Sequence, residues 1–340
     1  MILRNGKEIQ NGGKPYIVAE LNSSHRGKTD QAKQMIDSAK ACGCDAVKFQ
    51  SWTAESLYCE EYYRHNPMAK RLASGVSLSR DQLFELSGYC KEVGIDFAST
   101  PYSKDEVDFL VDVCRAPYIK VASMDIDNIS FLKYIAKKNI AIVLSTGMAS
   151  IDEIETAVKT IETAGNENIC ILHCVSVYPV EPANVNLRNM VMLKEHFPEC
   201  TVGYSDHTAG SEVACAAVAL GAGLIEKHFT LDNRKIGWDN QMATEPDVMQ
   251  ELVNRCQNVY VSLGSYDRVL SEDELTQRSK MRRSLVAARN LTAGETITAN
   301  DMDAKRPGDG ISVEDYEQLI GKKLKTDVTK DFLLRPEFFE

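Results

Sequence analysis

The stretch "TVGYSDHTAGSEVACAAVALGAGLIEKHF", Thr201 to Phe229, holds the fold in miniature. Two short apolar runs, 201–206 and 224–229, each close in a polar cluster that carries a histidine, His207 and His228. The segment between them reads as a helix, and Gly221 falls where that helix should stop. A buried strand, a helix and a second buried strand make a right-handed parallel crossover. Working outward, similar runs stand at 16–21, 45–50, 96–100, 118–123, 141–146 and 169–174. Helical patterns such as "KTDQAKQMIDSAKACG" and "SIDEIETAVKTIETAG" separate them. Eight such units in roughly 250 residues predict an α/β fold, a closed (β/α)8 TIM barrel rather than an open sheet. No GxGxxG turn follows an early strand, as a doubly wound nucleotide fold would require.

Asn5-Gly6 between the arms of "ILRNGKEI" predicts an N-terminal β-hairpin that caps the barrel. The barrel with this hairpin is assigned to 1–264, a highly charged linker to 265–283 and a small C-terminal domain to 284–340. That domain has short β-like runs and turns at Ala293-Gly294 and Pro307-Gly308. It is small enough to lean on the barrel or on a partner for stability.

The charge balance narrows the partners. There are 39 Lys plus Arg against 49 Asp plus Glu, a formal net charge of −10, which disfavours nucleic acid and anionic membranes. No apolar run is long enough to span a bilayer, and no signal peptide is expected. The ten cysteines are scattered without a CxxC, so they read as reduced, structural thiols of a cytoplasmic protein.

In a barrel the C-terminal strand ends converge on one mouth, and that is where catalysis sits. The polar residues fall at these ends: Glu20, Lys48, Gln50, Thr100, Lys120, Ser123, Ser145, Ser205, Glu226 and the two histidines. Lys48 and Gln50, Ser205 and His207, and Glu226 and His228 are each two residues apart, so each pair shares a face. Either histidine alone could be structural. Together on the last two strands, beside Asp206 and Glu226, they read as ligands of Mn²⁺, Mg²⁺ or Zn²⁺. Lys48 and Lys120 could clamp an anion or form a Schiff base, and the hydroxyls around them favour the clamp. Residues 51–79, with Tyr58, Tyr62, Tyr63 and Arg64, are long for a strand-to-helix connection and read as a lid. His25 is an open candidate, structural or functional.

Over nearly its whole length the chain resembles the sialic acid synthase family. "IVAELNSSH", "VKFQ", "YIKVAS", "LSTGM", "LHCVSVYP", "GYSDHT", "ALGAGLIEKHFTLD" and "KRPGDG" follow in the family order and spacing, and the tail is similar to the family's antifreeze-like (SAF) domain. The resemblance implies condensation of phosphoenolpyruvate with an N-acylated mannosamine-type sugar to give a nonulosonic acid and phosphate. It implies a divalent metal, Mn²⁺ or Mg²⁺, on His207 and His228. It places phosphoenolpyruvate on Lys48, Thr100, Lys120, Ser123 and Ser205, with Glu20 and Glu226 among the catalytic groups. Gln50, Asp125, Ser145, Ser176, Tyr178 and Asp239 complete the substrate contacts. Arg306 would arrive from the neighbouring subunit of a homodimer with swapped C-terminal domains. The chain departs from the family at Ser24, Ser176 and "GWDN", Gly237 to Asn240, where the family often has Asn, Asn and "GPDH". Trp238 is bulky, so these changes bear on which sugar is used. Rival readings are a Schiff-base pyruvate aldolase or lyase on the same barrel, and a non-catalytic glycan-binding barrel.

Overall fold

The computed structural model describes residues 1–235 and 237–340. It divides into two units, 1–264 and 265–340. The first is a closed barrel of eight parallel strands: β1 (Tyr16–Glu20), β2 (Ala46–Ser51), β3 (Asp96–Pro101), β4 (Tyr118–Val121), β5 (Ala141–Ser145), β6 (Ile169–Cys174), β7 (Thr201–Asp206) and β8 (Leu224–His228). Each strand pairs with the next, and β8 closes on β1 with Glu20 opposite His228. The strands are buried along nearly their whole length, which is why they stood out as apolar runs.

Alternate residues build two separate cores. Those facing outward, such as Val47, Phe49, Ile142, Ile171 and Ile225, pack under the helices. Those facing the axis change character along each strand. Near the strand starts the interior is filled by Tyr16, Val18, Ala46, Ala98, Tyr118, Val143, Leu172 and Leu224. Toward the strand ends the same face becomes polar. Gly203 shows how tight the inner packing is: a Cβ there would stand 2.5 Å from the Leu224 carbonyl oxygen and 2.6 Å from Leu172 Cδ2.

The N-terminal arms meet through an antiparallel bridge between Ile2 and Glu8, with Gly6 at a φ of 84° in the turn. Leu3 and Ile9 join the interior core, and the Arg4 N–H donates to the Pro117 carbonyl at 3.0 Å. The hairpin thus seals the end of the barrel opposite the mouth.

Residues 52–79 form three short helices, Ala54–Leu57, Glu60–His65 and Pro67–Val76, instead of an irregular loop. They have their own small core of Trp52, Ala54, Tyr63 and Ala73. The second unit contains a helix, Glu272–Met281, inside the segment read as linker, and an antiparallel pair, β9 (Ser284–Ala287) and β10 (Met302–Lys305). Leu285, Ile297, Met302, Leu324 and Leu334 are among its core residues. Among the described residues no helix is long and apolar enough to cross a membrane, and all ten cysteines are free.

Candidate active site

A cavity of about 540 Å³ opens at the strand ends, and of the residues assigned above to catalysis, substrate or metal it collects all but Asp125 and Arg306. Glu20, Lys48, Gln50, Thr100, Lys120, Ser123 and Ser145 line it from the first five strands and the turn after β4. Ser176, Tyr178, Ser205, His207, Glu226, His228 and Asp239 line it from the other side.

The floor is a compact set of alternating charges. The Lys48 ammonium pairs with Glu20, lies 3.8 Å from Glu226 Oε2 and donates to Thr100 Oγ1 at 3.2 Å. The Lys120 ammonium donates to Ser145 Oγ at 2.7 Å and lies 3.5 Å from Glu226 Oε1. Ser205 donates to Glu226 at 3.1 Å. All four charged groups are buried, so each charge must be held by the others. Burial opposes ionisation of Glu226, but Lys120 and Lys48 outweigh it and hold the carboxyl at about 2. For Glu20 burial wins against Lys48, and its pKa is raised. Burial lowers the Lys120 pKa, while the two carboxylates raise that of Lys48 against its own burial. Two carboxyls and two amines are thereby driven apart in proton affinity, as acid–base sites require.

Above this floor the His207 and His228 rings stand 5.3 Å apart, centre to centre. His207 Nδ1 donates to the Val175 carbonyl at 2.7 Å, which leaves Nε2 as the lone-pair nitrogen. Burial first, then the neighbouring His207 and Lys48, push the His228 pKa well down, so its ring is neutral, and its buried Nδ1 has no hydrogen-bond partner. Glu226 Oε2 is likewise buried without a hydrogen bond. Two imidazole rings beside an unsatisfied carboxylate oxygen suit a divalent cation. Among the described residues no third His, Cys, Asp or Glu completes a ready-made cluster. A cation on the two histidines would therefore take its other ligands from water or substrate.

The rim is aromatic and amphipathic. The Tyr178 ring lies 4.1 Å from His207 and 5.6 Å from His228. Trp238 is half-exposed and stacks on buried Trp52 at 5.6 Å. Leu57 and Tyr58 bring the helical 52–79 segment to the cavity edge. The Asn22 amide donates to Asp239 Oδ2 at 2.5 Å, and the Tyr102 hydroxyl donates to Gln50 Oε1 at 3.2 Å. Asn22, Tyr102 and Cys174, all in the cavity wall, were not anticipated from the sequence. Asn22 was within reach, since it lies in the quoted motif "IVAELNSSH".

Some residues stand elsewhere. After β4 the chain enters a tight turn, Ser123–Asp125, that turns Ser123 to the cavity and leaves Asp125 accepting from Asn128 at 3.2 Å outside the lining. Arg306 belongs to the second unit, is exposed and follows β10. His25 is buried against Phe49 rather than in the cavity wall, and Gly27 N–H donates to its Nδ1 at 3.1 Å. Asn240 is buried in loop structure. It accepts from Thr230 at 2.6 Å and donates to the Asp232 and Lys235 carbonyls at 2.9 and 2.7 Å.

A closed barrel with an acid–base floor and a polar mouth is an enzyme's architecture. The NeuB family model matches residues 35–268 and the SAF domain model matches 282–340. The N,N'-diacetyllegionaminic acid synthase of Campylobacter jejuni is 36% identical over 333 residues, which span 95% of this chain and 99% of that protein. The pseudaminic acid synthase of the same organism is 31% identical over 330 residues, spanning 93% and 94%. The crystal structure of a sialic acid synthetase from Leptospira borgpetersenii, in complex with citrate, superposes with a TM-score of 0.74 at 31% identity, covering 82% of this chain and 94% of that one. The chain belongs to the NeuB family and is an enzyme of the nonulosonic acid synthase class.

Proposed function

We propose that the enzyme condenses phosphoenolpyruvate with the open-chain aldehyde of an N-acylated mannosamine-type sugar, N-acetylmannosamine or a 2,4-diacetamido-trideoxyhexose. The products are the nonulosonic acid and phosphate. The observation that carries this reading is the pair of buried lysines at the cavity floor, each with a hydroxyl partner, in the same cavity as two histidines.

Lys48 and Lys120, with Thr100, Ser123 and Ser205, hold the phosphate and carboxylate of phosphoenolpyruvate by charge-assisted hydrogen bonds. Carbon three of phosphoenolpyruvate attacks the aldehyde carbon. A carbon–carbon bond forms and the aldehyde oxygen takes up a proton. Water adds to carbon two and gives up one proton; the bond from carbon two to the phosphate oxygen then breaks as the added oxygen becomes the ketone and its second proton passes to the departing phosphate. No serine or cysteine nucleophile is needed. Glu20, raised in pKa and tied to Gln50 and Lys48, orients the water. Glu226 stays anionic and keeps both ammonium groups in place. A divalent cation on His207 and His228, Mn²⁺ or Mg²⁺, supplies Lewis-acid polarisation of the sugar carbonyl when bound. Gln50, Ser145, Ser176, Tyr178 and Asp239 surround the sugar. Arg306 of a swapped neighbouring tail contacts its N-acyl group, so the working unit is a homodimer in the reducing cytoplasm, where free thiols persist.

The test is phosphate release with a panel of N-acylated sugars, read with product mass, before and after chelation and after Mn²⁺ addition. No phosphate from any sugar, or full activity after rigorous chelation, refutes the reading. The depressed pKa of Lys120 favours one alternative, a Schiff-base aldolase. Borohydride trapping of pyruvate on Lys120 would establish it.

A further inference from the structure

Three residues beside the two histidines have no part in the reaction above. Asp206 and Thr208 flank His207, and Lys227 precedes His228. Asp206 and Lys227 are register partners across β7 and β8. Both are buried, and neither lines the cavity. The Lys227 ammonium donates to Asp206 Oδ2 at 2.7 Å and to the Thr208 carbonyl at 2.6 Å. The other oxygen of Asp206 accepts from the Thr208 N–H at 2.9 Å and its hydroxyl at 2.7 Å. One ammonium on β8 therefore grips the chain on both sides of His207.

We propose that this Asp206–Lys227–Thr208 clasp is a positioning device that sets the span between His207 and His228 from the outer face of the barrel. The proposal rests on the reading of the two histidines as a divalent-cation site. Two arguments carry it. First, a buried ion pair is a poor source of stability, because desolvating both charges consumes most of their attraction. The outer face of these strands is otherwise apolar, with Val202, Tyr204, Ile225 and Phe229, and the charges stand directly behind the histidines. Second, cation affinity depends on the groups that fix ligand orientation, and their loss costs about 10–100-fold in affinity.

The experiment compares the full-length wild type, Lys227→Arg and the neutral double variant Asp206→Asn/Lys227→Met. The double variant strands no charge and keeps an acceptor for Thr208. Mn²⁺ affinity is measured without substrates by electron paramagnetic resonance. Thermal midpoint and the KM for phosphoenolpyruvate are measured alongside. The expected result is a roughly 10–100-fold weaker Mn²⁺ affinity in the double variant, an unchanged midpoint and KM, and near-wild-type affinity in Lys227→Arg. Wild-type affinity in the folded double variant would overturn the proposal, because the pair would then be ordinary packing. An unfolded double variant would also overturn it, by showing that the pair holds the fold. A wild type that binds no Mn²⁺, or whose binding survives His207→Ala, refutes the cation reading itself, so the two failures are told apart.

Discussion

Replacing Lys120 with methionine tests the charged floor of the barrel in two currencies at once. The ammonium donates to Ser145 at 2.7 Å and lies 3.5 Å from Glu226. Breaking a buried pair costs about 3–5 kcal/mol when the partner is left alone. Here Glu226 keeps Ser205 at 3.1 Å and Lys48 at 3.8 Å, which places the loss near ~3 kcal/mol. For a unit the size of residues 1–264, that lowers the thermal midpoint by about 5–6 °C. Adding Glu226→Gln removes the stranded charge and should recover most of that loss. Binding should behave otherwise. A lost charge-assisted contact costs about 1.5–3 kcal/mol, so the KM for phosphoenolpyruvate should rise roughly ten- to a hundredfold while that for the sugar barely moves. The double variant should regain stability and remain defective in phosphoenolpyruvate binding. Calorimetry and initial-rate kinetics on the two variants supply the readings. A KM increase confined to the sugar, or a double variant no more stable than Lys120→Met, would refute the account of the floor.

Trp238→Ala should change the ratio of kcat/KM values between N-acetylmannosamine and a 2,4-diacetamido-trideoxyhexose by about tenfold, because an aromatic wall contributes on the order of 1–1.5 kcal/mol; an unchanged ratio removes Trp238 from sugar selection. His25 gives a pH-dependent term, since burial holds its pKa down to about 4 against the ordinary 6.5. The unfolded chain therefore binds a proton that the folded chain refuses, so stability is full above pH 6.5 and falls as the pH drops to about 4. The total is about 3 kcal/mol, and urea titrations of His25→Gln should lack that slope. Mixing inactive His207→Ala and Arg306→Ala proteins under subunit exchange should restore activity if the arginine acts across a dimer, and verified mixed dimers that stay silent would place it elsewhere.

The barrel was legible because its signal is strong. Parallel strands buried on both faces must be apolar runs, and the sharp change to Lys48, Lys120, Glu226 and His228 at their ends has no packing explanation. Period-two alternation then told which of those residues share the mouth. Other features carry no periodic signal. Tyr102 sits one residue beyond β3 as an ordinary loop aromatic, and Cys174 was hidden in an apolar run among nine other cysteines. The Glu272–Met281 helix is exposed on every side, so no hydrophobic stripe marks it. It is started by Ser271, whose side chain accepts the Glu274 N–H at 3.1 Å. Alternation sends Asp206 and Lys227 away from the mouth, but only the folded register brings them together.

The sealed barrel end has a temporal meaning. Leu3 and Ile9 stop the interior at one end, so traffic to the lysine floor passes the mouth, where Tyr178 and Trp238 are 45% and 46% exposed while Lys48 and Lys120 are 3% and 4% exposed. In the proposed reaction the smaller, anionic substrate must be seated before the sugar arrives above it. On that reading the vessel is loaded from the bottom up, and depth alone would impose an order of addition.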